Sequence, residues 1–206
     1  MKVAIVRGSN LNPYEMQSYE PLVGEYELTG FCSYKNNYEI NTIRFPIKKT
    51  HITEEFYERL PWPARLLGYG ALLPYGMNYY MFGLEKQLEC MDILHAAETY
   101  NGYSYQAARV RNAEKKKLVL TVWENIPFRS VRCFKGFWGN EKIVEYVRNS
   151  TDIFIAVTDR ARRALQIEGV SDDRIRVIPA GIDTERFRPG VPDKHILEKL
   201  KVSDGE

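Results

Sequence analysis

Short, continuously apolar runs recur along the chain and alternate with stretches that carry helical patterns. A run that is apolar at every position suits a strand whose two faces are both covered, as in a parallel sheet. The clearest predicted strands are Val3 to Val6, Ile93 to Ala97, Leu118 to Val122, Ile153 to Val157 and Ile175 to Ile178. Weaker candidates are Tyr26 to Cys32 and Thr42 to Ile47, the latter ending at Pro46.

Helix signals fall between these runs. Asn12 is a typical N-cap, Pro13 suits the first helical position, and Glu15 occupies the capping-box position. We expect Gly24 to end this helix.

Two further helices are predicted in the second half of the chain. The stretch from Glu141 to Arg148 places its apolar residues on one face, and Thr158 can cap a helix from Asp159 to Glu168, with Gly169 just beyond its end. Strand, helix and strand repeated in this order predict an α/β fold, a doubly wound and mostly parallel sheet with helices on both faces, of Rossmann-like type.

This fold indicates where a ligand should bind, because ligands of open α/β sheets lie beyond the carboxyl ends of the strands. A capped helix after the first strand also directs free backbone N–H groups to that edge. The alternative is that residues such as Gly8 and Gly102 only form turns, and position alone favours neither. The residues at the carboxyl ends of the predicted strands are Arg7 to Asn10, Glu98 to Gly102, Trp123 to Asn125 and Thr158 to Asp159.

The composition is that of an ordinary globular protein, with 44% hydrophobic and 27% charged residues among 206. A net charge of +2 gives no global signature of nucleic-acid binding. The three cysteines and three histidines are scattered, which favours a reducing compartment and does not favour a zinc site. The first apolar run is too short for a secretory signal, so we expect a cytoplasmic protein.

Common nucleotide-binding and catalytic motifs are missing from the sequence. Only Gly8 is present where a dinucleotide-binding G-x-G-x-x-G would lie, and no P-loop, G-x-S-x-G or H-E-x-x-H occurs. The basic cluster Arg160, Arg162 and Arg163 shares its predicted helix with acidic residues, which favours a solvated face over a nucleic-acid patch.

The most informative stretch is DIFIAVTDRARRALQIEGVSDDRIRVIPAGIDTERFRP, from Asp152 to Pro189. It resembles the segment that closes the N-terminal domain of GT-B glycosyltransferases, and more narrowly the "glycosyl transferases group 1" family. In that family a strand ending in Ser or Thr leads into a helix, and an I-x-V-I-P strand and a G-[IV]-D-x-x-x-F turn follow. The matching residues here are Thr158, Ile175 to Pro179 and Gly181 to Phe187.

Pro179, Gly181 and Asp183 form the domain hinge that this resemblance implies. We expect Pro179 to end strand pairing and Gly181 to take a positive φ. Asp183 is expected to cap a short turn that buries Phe187.

Weaker similarity covers MDILHAAE and KLVLTVWEN, which look like the family's fourth strand with its acceptor loop and its fifth strand. Three departures stand out. Trp123 replaces a His that many relatives use in the acceptor site, and Trp can stack on a sugar or lipid but cannot act as a base. Ala180 stands where relatives usually have Asn, and Gly8-Ser9-Asn10 replaces the common Gly-Gly.

The resemblance implies that residues 1–189 form an acceptor-binding domain, one half of a GT-B fold. Residues 190–206 are then a linker and the start of a missing C-terminal domain that binds the nucleotide sugar. The whole protein is expected to transfer a glycosyl group from a nucleotide sugar to an acceptor hydroxyl, with retention of configuration. Helix dipoles and basic side chains stabilise the leaving diphosphate in this fold, so neither metal nor cofactor is expected. The chain alone is expected to be inactive.

The expected acceptor contacts lie at the carboxyl edge, and no catalytic residue is assigned. Trp123 and Tyr103 are expected to stack on the acceptor, and Glu98 or Glu124 to accept hydrogen bonds from sugar hydroxyls. His95, inside an apolar strand, fits a core histidine better than a ligand. The full set is Gly8, Ser9, Asn10, His95, Glu98, Tyr100, Tyr103, Trp123, Glu124 and Thr158, with Ser9 and Asn10 lining the cleft between domains.

Two other functions stay open. One is a nucleotide-sugar epimerase of the same two-domain architecture, whose distinguishing residues would lie in the missing half. The other is a stand-alone module that binds a sugar or a partner protein.

The segment from Leu66 to Leu84 has no charged residue, but it is interrupted by Gly68, Gly70, Pro74, Gly76 and Asn78, so a spanning helix is not expected. One interpretation is a bent helical segment packed on the sheet. The other is an exposed aromatic patch beside the acceptor cleft that binds a lipid-linked acceptor, touches the membrane surface or pairs two subunits.

Overall fold

Parallel strands form a single sheet at the centre of the structure. The structure is a computed structural model that describes residues 1–55, 61, 63, 79–128, 140–182, 184–185, 187–190 and 194–200. Within these residues the sheet has the strand order β3-β2-β1-β4-β5-β6-β7, and every neighbouring pair is parallel. The strands are β1 Lys2–Gly8, β2 Glu27–Ser33, β3 Ile47–Thr50, β4 Ile93–Ala97, β5 Lys117–Val122, β6 Ile153–Ala156 and β7 Ile175–Val177.

Helices surround this sheet and alternate with its strands. The described α-helices are α1 Pro13–Met16, α2 Leu84–Leu88, α3 Gly102–Glu114, α4 Asn140–Ser150, α5 Asp159–Ile167 and α6 Lys194–Leu200. Short 3₁₀ turns occupy Glu20–Leu22 and Asp172–Arg174. The predicted Rossmann-like α/β fold is therefore confirmed.

The sheet is covered on both faces, because alternate residues of β1 enter two separate hydrophobic clusters. Ala4 and Val6 belong to the larger cluster, which continues through β4, β5 and β6. Ile5 belongs to a smaller cluster with Leu11 and Met16. Successive side chains of a strand point to opposite faces, so the continuous apolar run of β1 is a strand buried on both sides.

The strand predicted from Thr42 to Ile47 is wrong. β3 begins only at Ile47, and its first pairing partner in β2 is Gly30. Pro46 has no N–H to donate, and its carbonyl accepts a hydrogen bond from the backbone N–H of Gly30 at 2.9 Å. The ladder therefore starts after the proline, while Phe45 packs into the smaller cluster from a loop.

The cap of the first helix is confirmed, but its predicted end is wrong. The Oδ1 atom of Asn12 accepts a hydrogen bond from the N–H of Glu15 at 2.8 Å, and Pro13 opens the helix. The helix stops at Met16, and Gly24, with a φ of +100°, follows the later 3₁₀ turn.

The two helices predicted in the second half are confirmed as α4 and α5. Val144 and Val147 of α4 are fully buried. Thr158 caps α5 by accepting a hydrogen bond from the N–H of Ala161 at 3.1 Å, and Gly169 beyond its end has a φ of +91°.

The segment predicted as a domain hinge agrees with the sequence expectations only in part. Pairing ends before Pro179, since the last hydrogen bond of this strand runs from the N–H of Ile178 to the carbonyl of Ala156 at 3.0 Å. Gly181 does not take the expected positive φ, and a Cβ there would instead lie 3.4 Å from Oγ of Ser18. Phe187 is 53% exposed, not buried. Asp183 lies outside the described residues.

Most of the segment from Leu66 to Leu84 lies outside the described residues as well. In its described end, Met81 and Leu84 are buried in the larger cluster, whereas Phe82 is 45% exposed. The exposed aromatic patch therefore stays a prediction. None of the helices in the described part of the chain is long and apolar enough to cross a membrane.

We predict that Gly8→Ala lowers the free energy of unfolding by about 2 kcal/mol, measured by urea denaturation. Gly8 has a φ of +56°, and a Cβ there would lie 2.8 Å from Cε1 of Tyr103. Gly24 is the matched control, because its φ is also positive but a Cβ there meets no atom within 4 Å. Gly24→Ala should cost about 1 kcal/mol. Equal losses would show that the contact with Tyr103 is unimportant.

Candidate functional site

The loops that follow β1 and β4 lie side by side, where the strand order changes direction. The chain proceeds from β1 to β3 on one side of β1 and then crosses back to β4 on the other side. In open α/β sheets, ligands bind at the carboxyl ends of strands at such a switch point. The topology thus places a candidate site between the ends of β1 and β4.

A buried arginine lies at this point. The side chain of Arg7 is 2% exposed, and its Nε donates to Oε1 of Glu15 at 2.7 Å. Its Nη1 donates to the carbonyls of Val6 at 3.0 Å and His95 at 3.2 Å, and its Nη2 donates to the hydroxyl of Tyr19 at 2.9 Å. A buried charge needs such partners, and here they come from β1, β4, α1 and the turn after α1.

The same guanidinium also lies against two aromatic rings. Its central carbon is 6.0 Å from the ring centre of Tyr19 and 5.9 Å from that of Trp123, both within cation–π distance. Trp123 follows β5 directly and remains 38% exposed. Trp123, which is predicted to stack on a ligand, therefore has exposed surface and lies against Arg7.

His95 is a core residue at the base of this site. It is 6% exposed, and its Nε2 lies 2.8 Å from Oγ1 of Thr121. Burial lowers the pKa of His95 well below 6.5, and the charge of Arg7 lowers it further. The neutral ring packs edge-on against Tyr19 with centroids 5.4 Å apart, which fits the core role weighed from the sequence.

Glu98, immediately after β4, has an unusual environment. Its backbone φ is +60°, a region that few residues other than glycine adopt. Its side-chain Oε1 accepts hydrogen bonds from the N–H groups of Trp123 at 2.8 Å and Glu124 at 3.2 Å. Its Oε2 is buried and has no hydrogen-bond partner among the described residues. A buried acceptor without a partner is energetically unfavourable unless a ligand or water satisfies it.

Burial raises the pKa of Glu98 to about 7, although the two backbone N–H donors oppose this. Two other carboxylates contribute in the same direction, Glu124 after β5 and Glu168 after α5. Glu168 is itself paired with Arg148 at 3.0 Å and accepts the N–H of Phe128 at 2.8 Å. The corner around Glu98 is therefore acidic.

The loop after β1 is held in place by contacts with Asn37 and Tyr103. Ser9 is buried, and its carbonyl accepts the N–H of Asn37 at 2.8 Å, whereas Asn10 is exposed and pairs with the Asn37 side chain at 3.0 Å. Tyr103 is 3% exposed beneath Gly8, and its hydroxyl oxygen accepts from Asn101 Nδ2 at 2.6 Å. Tyr103 therefore supports Gly8 in this structure and has no open face for stacking.

The remaining predicted contacts, Tyr100 and Thr158, lie towards α5. Tyr100 and Glu124 line a small cavity together with Glu168. The hydroxyl of Thr158 caps α5. The structure thus brings Gly8, Glu98, Trp123 and Glu124 to one edge of the sheet, as expected from the sequence, while Thr158 caps the adjoining helix.

The sequence analysis placed Arg7 at a strand end and Glu15 in a helix cap, but it assigned neither of them, nor Tyr19, to the candidate site. A signal was present, because Arg7 is the only charged residue between Lys2 and Glu15. A charge at the end of a strand that is apolar on both faces needs a buried partner. The partner itself comes from tertiary contact. No group of residues able to hold a metal ion occurs in the part of the chain that the structure describes.

Fold and site together define a Rossmann-like domain with its candidate ligand site at the switch point. Residues 42–186, well over half of the chain, match the family model described as Glycosyltransferase Family 4, and the chain belongs to this family. The resemblance to GT-B glycosyltransferases is thereby confirmed. No curated protein gives a significant match.

Solved structures share the fold at low sequence identity. HepE from Anabaena, in complex with UDP and glucose, has a TM-score of 0.62 and 13% identity, over 98% of this chain and 49% of that one. MnaA from S. aureus with UDP has a TM-score of 0.53 and 15% identity, over 97% and 50%. The UDP-GlcNAc 2-epimerase from Neisseria meningitidis bound to UDP-GlcNAc has a TM-score of 0.51 and 13% identity, over 86% and 46%. The chain spans about half the length of these structures.

We predict that Arg7→Met lowers the free energy of unfolding by about 3 kcal/mol, because it removes a buried charge that four neighbouring groups share. Chemical denaturation measures the loss. Arg162→Met is the matched control, since the Arg162–Asp172 pair is 40% and 51% exposed. It should cost less than about 1 kcal/mol. Similar losses for both variants would contradict the structural role of Arg7.

We also predict a pH dependence of stability that Glu98→Gln removes. The pKa of about 7 in the folded protein lies above the ordinary 4.5, so the folded state binds the proton more tightly than the unfolded chain. The resulting stabilisation is present below pH 4.5 and is lost as the pH rises through 7. Relative to Glu98→Gln, the wild-type protein should lose about 3 kcal/mol across this range.

The free energy of unfolding measured from pH 4 to 8 tests this prediction. Glu89→Gln, at the exposed C-terminal end of α2 before β4 begins, is the control that should reproduce the wild-type profile. Parallel wild-type and Glu98→Gln profiles would contradict the raised pKa.

Proposed function

We propose that this chain is the acceptor-binding half of a retaining glycosyltransferase, which moves a sugar from a nucleotide-sugar donor to an acceptor hydroxyl. In this proposal residues 1–189 form the acceptor-binding domain, and residues 190–206 lead into a second domain that binds the nucleotide sugar. Membership of Glycosyltransferase Family 4 and the likeness to HepE, solved with UDP and glucose, support the reaction class.

The observation that carries the proposal is an aromatic surface beside a buried carboxyl at the switch point. Trp123 is 38% exposed, and its backbone N–H is held by Oε1 of Glu98 at 2.8 Å. A sugar ring offers apolar C–H faces and hydroxyl donors. An aromatic ring next to a carboxyl group recognises both, as apolar sites with a few placed polar groups do.

The charges of this edge favour an acceptor over a nucleotide diphosphate. Glu98, Glu124 and Glu168 contribute to an acidic corner, which would repel phosphate. Arg7 is buried, and its described hydrogen bonds go to protein groups. In the proposal, the diphosphate is therefore bound by the second domain.

A second candidate function is a nucleotide-sugar epimerase, which the likeness to the Neisseria enzyme favours. The neighbouring carboxyl groups of Glu98 and Glu124 could then move protons, because a group with a pKa near 7 serves as acid or base. The protein produced from its complete reading frame separates the two. Glycoside formation that requires an acceptor supports the transferase, whereas conversion of UDP-GlcNAc alone to its 2-epimer supports the epimerase.

We predict that Trp123→Ala in that complete protein lowers kcat/KM for the acceptor at least about tenfold. The physical reason is the loss of the stacking surface. Hydrolysis of the donor without acceptor, measured with UDP-glucose and UDP-GlcNAc, should change less than about twofold, since the donor binds elsewhere.

Trp123→Phe is the matched control, because it keeps an aromatic face and should retain most of the acceptor use. If transfer and donor hydrolysis fall equally, or if neither falls, Trp123 is not an acceptor residue.

A further inference from the structure

The unpartnered carboxylate oxygen of Glu98 is the most informative feature of the site. Glu98 is 8% exposed, and its Oε1 already accepts two backbone hydrogen bonds. Its Oε2 has no partner among the described residues. Leaving a buried acceptor unsatisfied destabilises the protein, so such an atom points to a ligand that completes it.

The groups around Glu98 restrict what that ligand can present. Glu124 and Glu168 lie close enough to raise its pKa by their charges. Glu124 accepts the N–H groups of Asn125 and Ile126, both at 3.0 Å, and Glu168 is paired with Arg148. These acids have partners, whereas Oε2 of Glu98 offers an acceptor in a negative environment, which suits a hydrogen-bond donor and not an anion.

The backbone conformation of Glu98 also points to a ligand site. The positive φ of Glu98 is a strained conformation for a residue with a side chain, and strain of this kind clusters at ligand sites. The two hydrogen bonds to Oε1 also fix the carboxyl group against the Trp123 backbone. The free oxygen therefore has a defined position beside the Trp123 residue.

We propose that Oε2 of Glu98 accepts a hydrogen bond from a neutral hydroxyl of the bound sugar, and that this acidic corner rejects sugars that place a carboxylate or phosphate there. This proposal rests on the proposed function, because it assumes that the site binds a sugar. It adds that Oε2 of Glu98 is the atom that binds the sugar, and that the sugar is uncharged at this position.

A dependence on pH follows from the burial of Glu98. The ionised carboxylate is the better acceptor, and its pKa of about 7 means that the fraction ionised rises between pH 6 and 8. The titratable groups that face it are Glu124, Glu168 and Tyr103 of α3. Burial raises the pKa of Tyr103 far above this range, so Tyr103 stays neutral there. Binding should therefore strengthen as the pH rises.

The experiment is a ¹⁹F NMR titration of the chain labelled with 5-fluorotryptophan. The chain has three tryptophans, and the Trp123 signal is the one that Trp123→Phe removes. The probes are methyl glycosides of glucose, galactose, mannose and N-acetylglucosamine, each with the matching uronic acid glycoside where one exists. We expect at least one neutral glycoside to shift the Trp123 signal, with affinity at pH 8 about tenfold higher than at pH 5.5. The matching uronate should bind at least about tenfold more weakly.

Two variants complete the test. Glu98→Gln keeps the size and the Oε1 acceptor, and should lower the affinity at pH 8 about tenfold and abolish its pH dependence. Glu89→Gln, at the exposed C-terminal end of α2, should leave both unchanged. Equal binding by Glu98→Gln, a uronate that binds as well as its neutral partner, or no shift with any glycoside would each overturn the proposal. Binding without transfer by the complete protein would contradict the proposed function and leave this inference standing.

Discussion

The buried guanidinium of Arg7 is the constraint on which the rest of the site depends. A charge that is 2% exposed is stable only when polar groups surround it. These groups are the carboxylate of Glu15 in α1, the hydroxyl of Tyr19 in the turn after α1, and backbone carbonyls of β1 and β4. The need to satisfy one side chain thus fixes how the first loop sits on the sheet edge. It also gives Trp123 a cation to lie against.

Arg7 and Glu98 are both buried ionisable groups, but they differ in how far their hydrogen-bonding capacity is satisfied. The described groups around Arg7 bond each of its nitrogens, so it holds the structure together. Glu98 has one oxygen that accepts hydrogen bonds and one that has no partner among the described residues. A buried charged group with all its hydrogen bonds made holds neighbouring segments together, whereas one that lacks a partner needs a donor, which we propose is a ligand hydroxyl. This difference separates the structural role of Arg7 from the ligand-binding role proposed for Glu98.

The fold on its own does not select the chemistry. HepE, solved with UDP and glucose, and an epimerase bound to UDP-GlcNAc both share this fold at identities of 13%. Function is carried by the side chains that a fold presents. In our proposal these are Trp123, at the position where the resemblance implies an acceptor-site histidine, and the carboxyl groups next to it. We propose that they bind neutral sugars and disfavour anions.

The sequence by itself determined the features that depend on neighbours along the chain. The apolar run of β4, the Asn12 and Thr158 caps and the polar ends of the strands follow from local patterns and local hydrogen bonds. Tertiary structure decided the rest: β3 begins after Pro46 because of its pairing with Gly30, and Tyr103 is buried under Gly8. Arg7 contacts the carbonyl of His95 and the ring of Trp123 only because strands far apart in sequence come together. Burial, which sets the pKa of Glu98 and leaves its oxygen unpartnered, is a property of that assembled neighbourhood and not of any single segment.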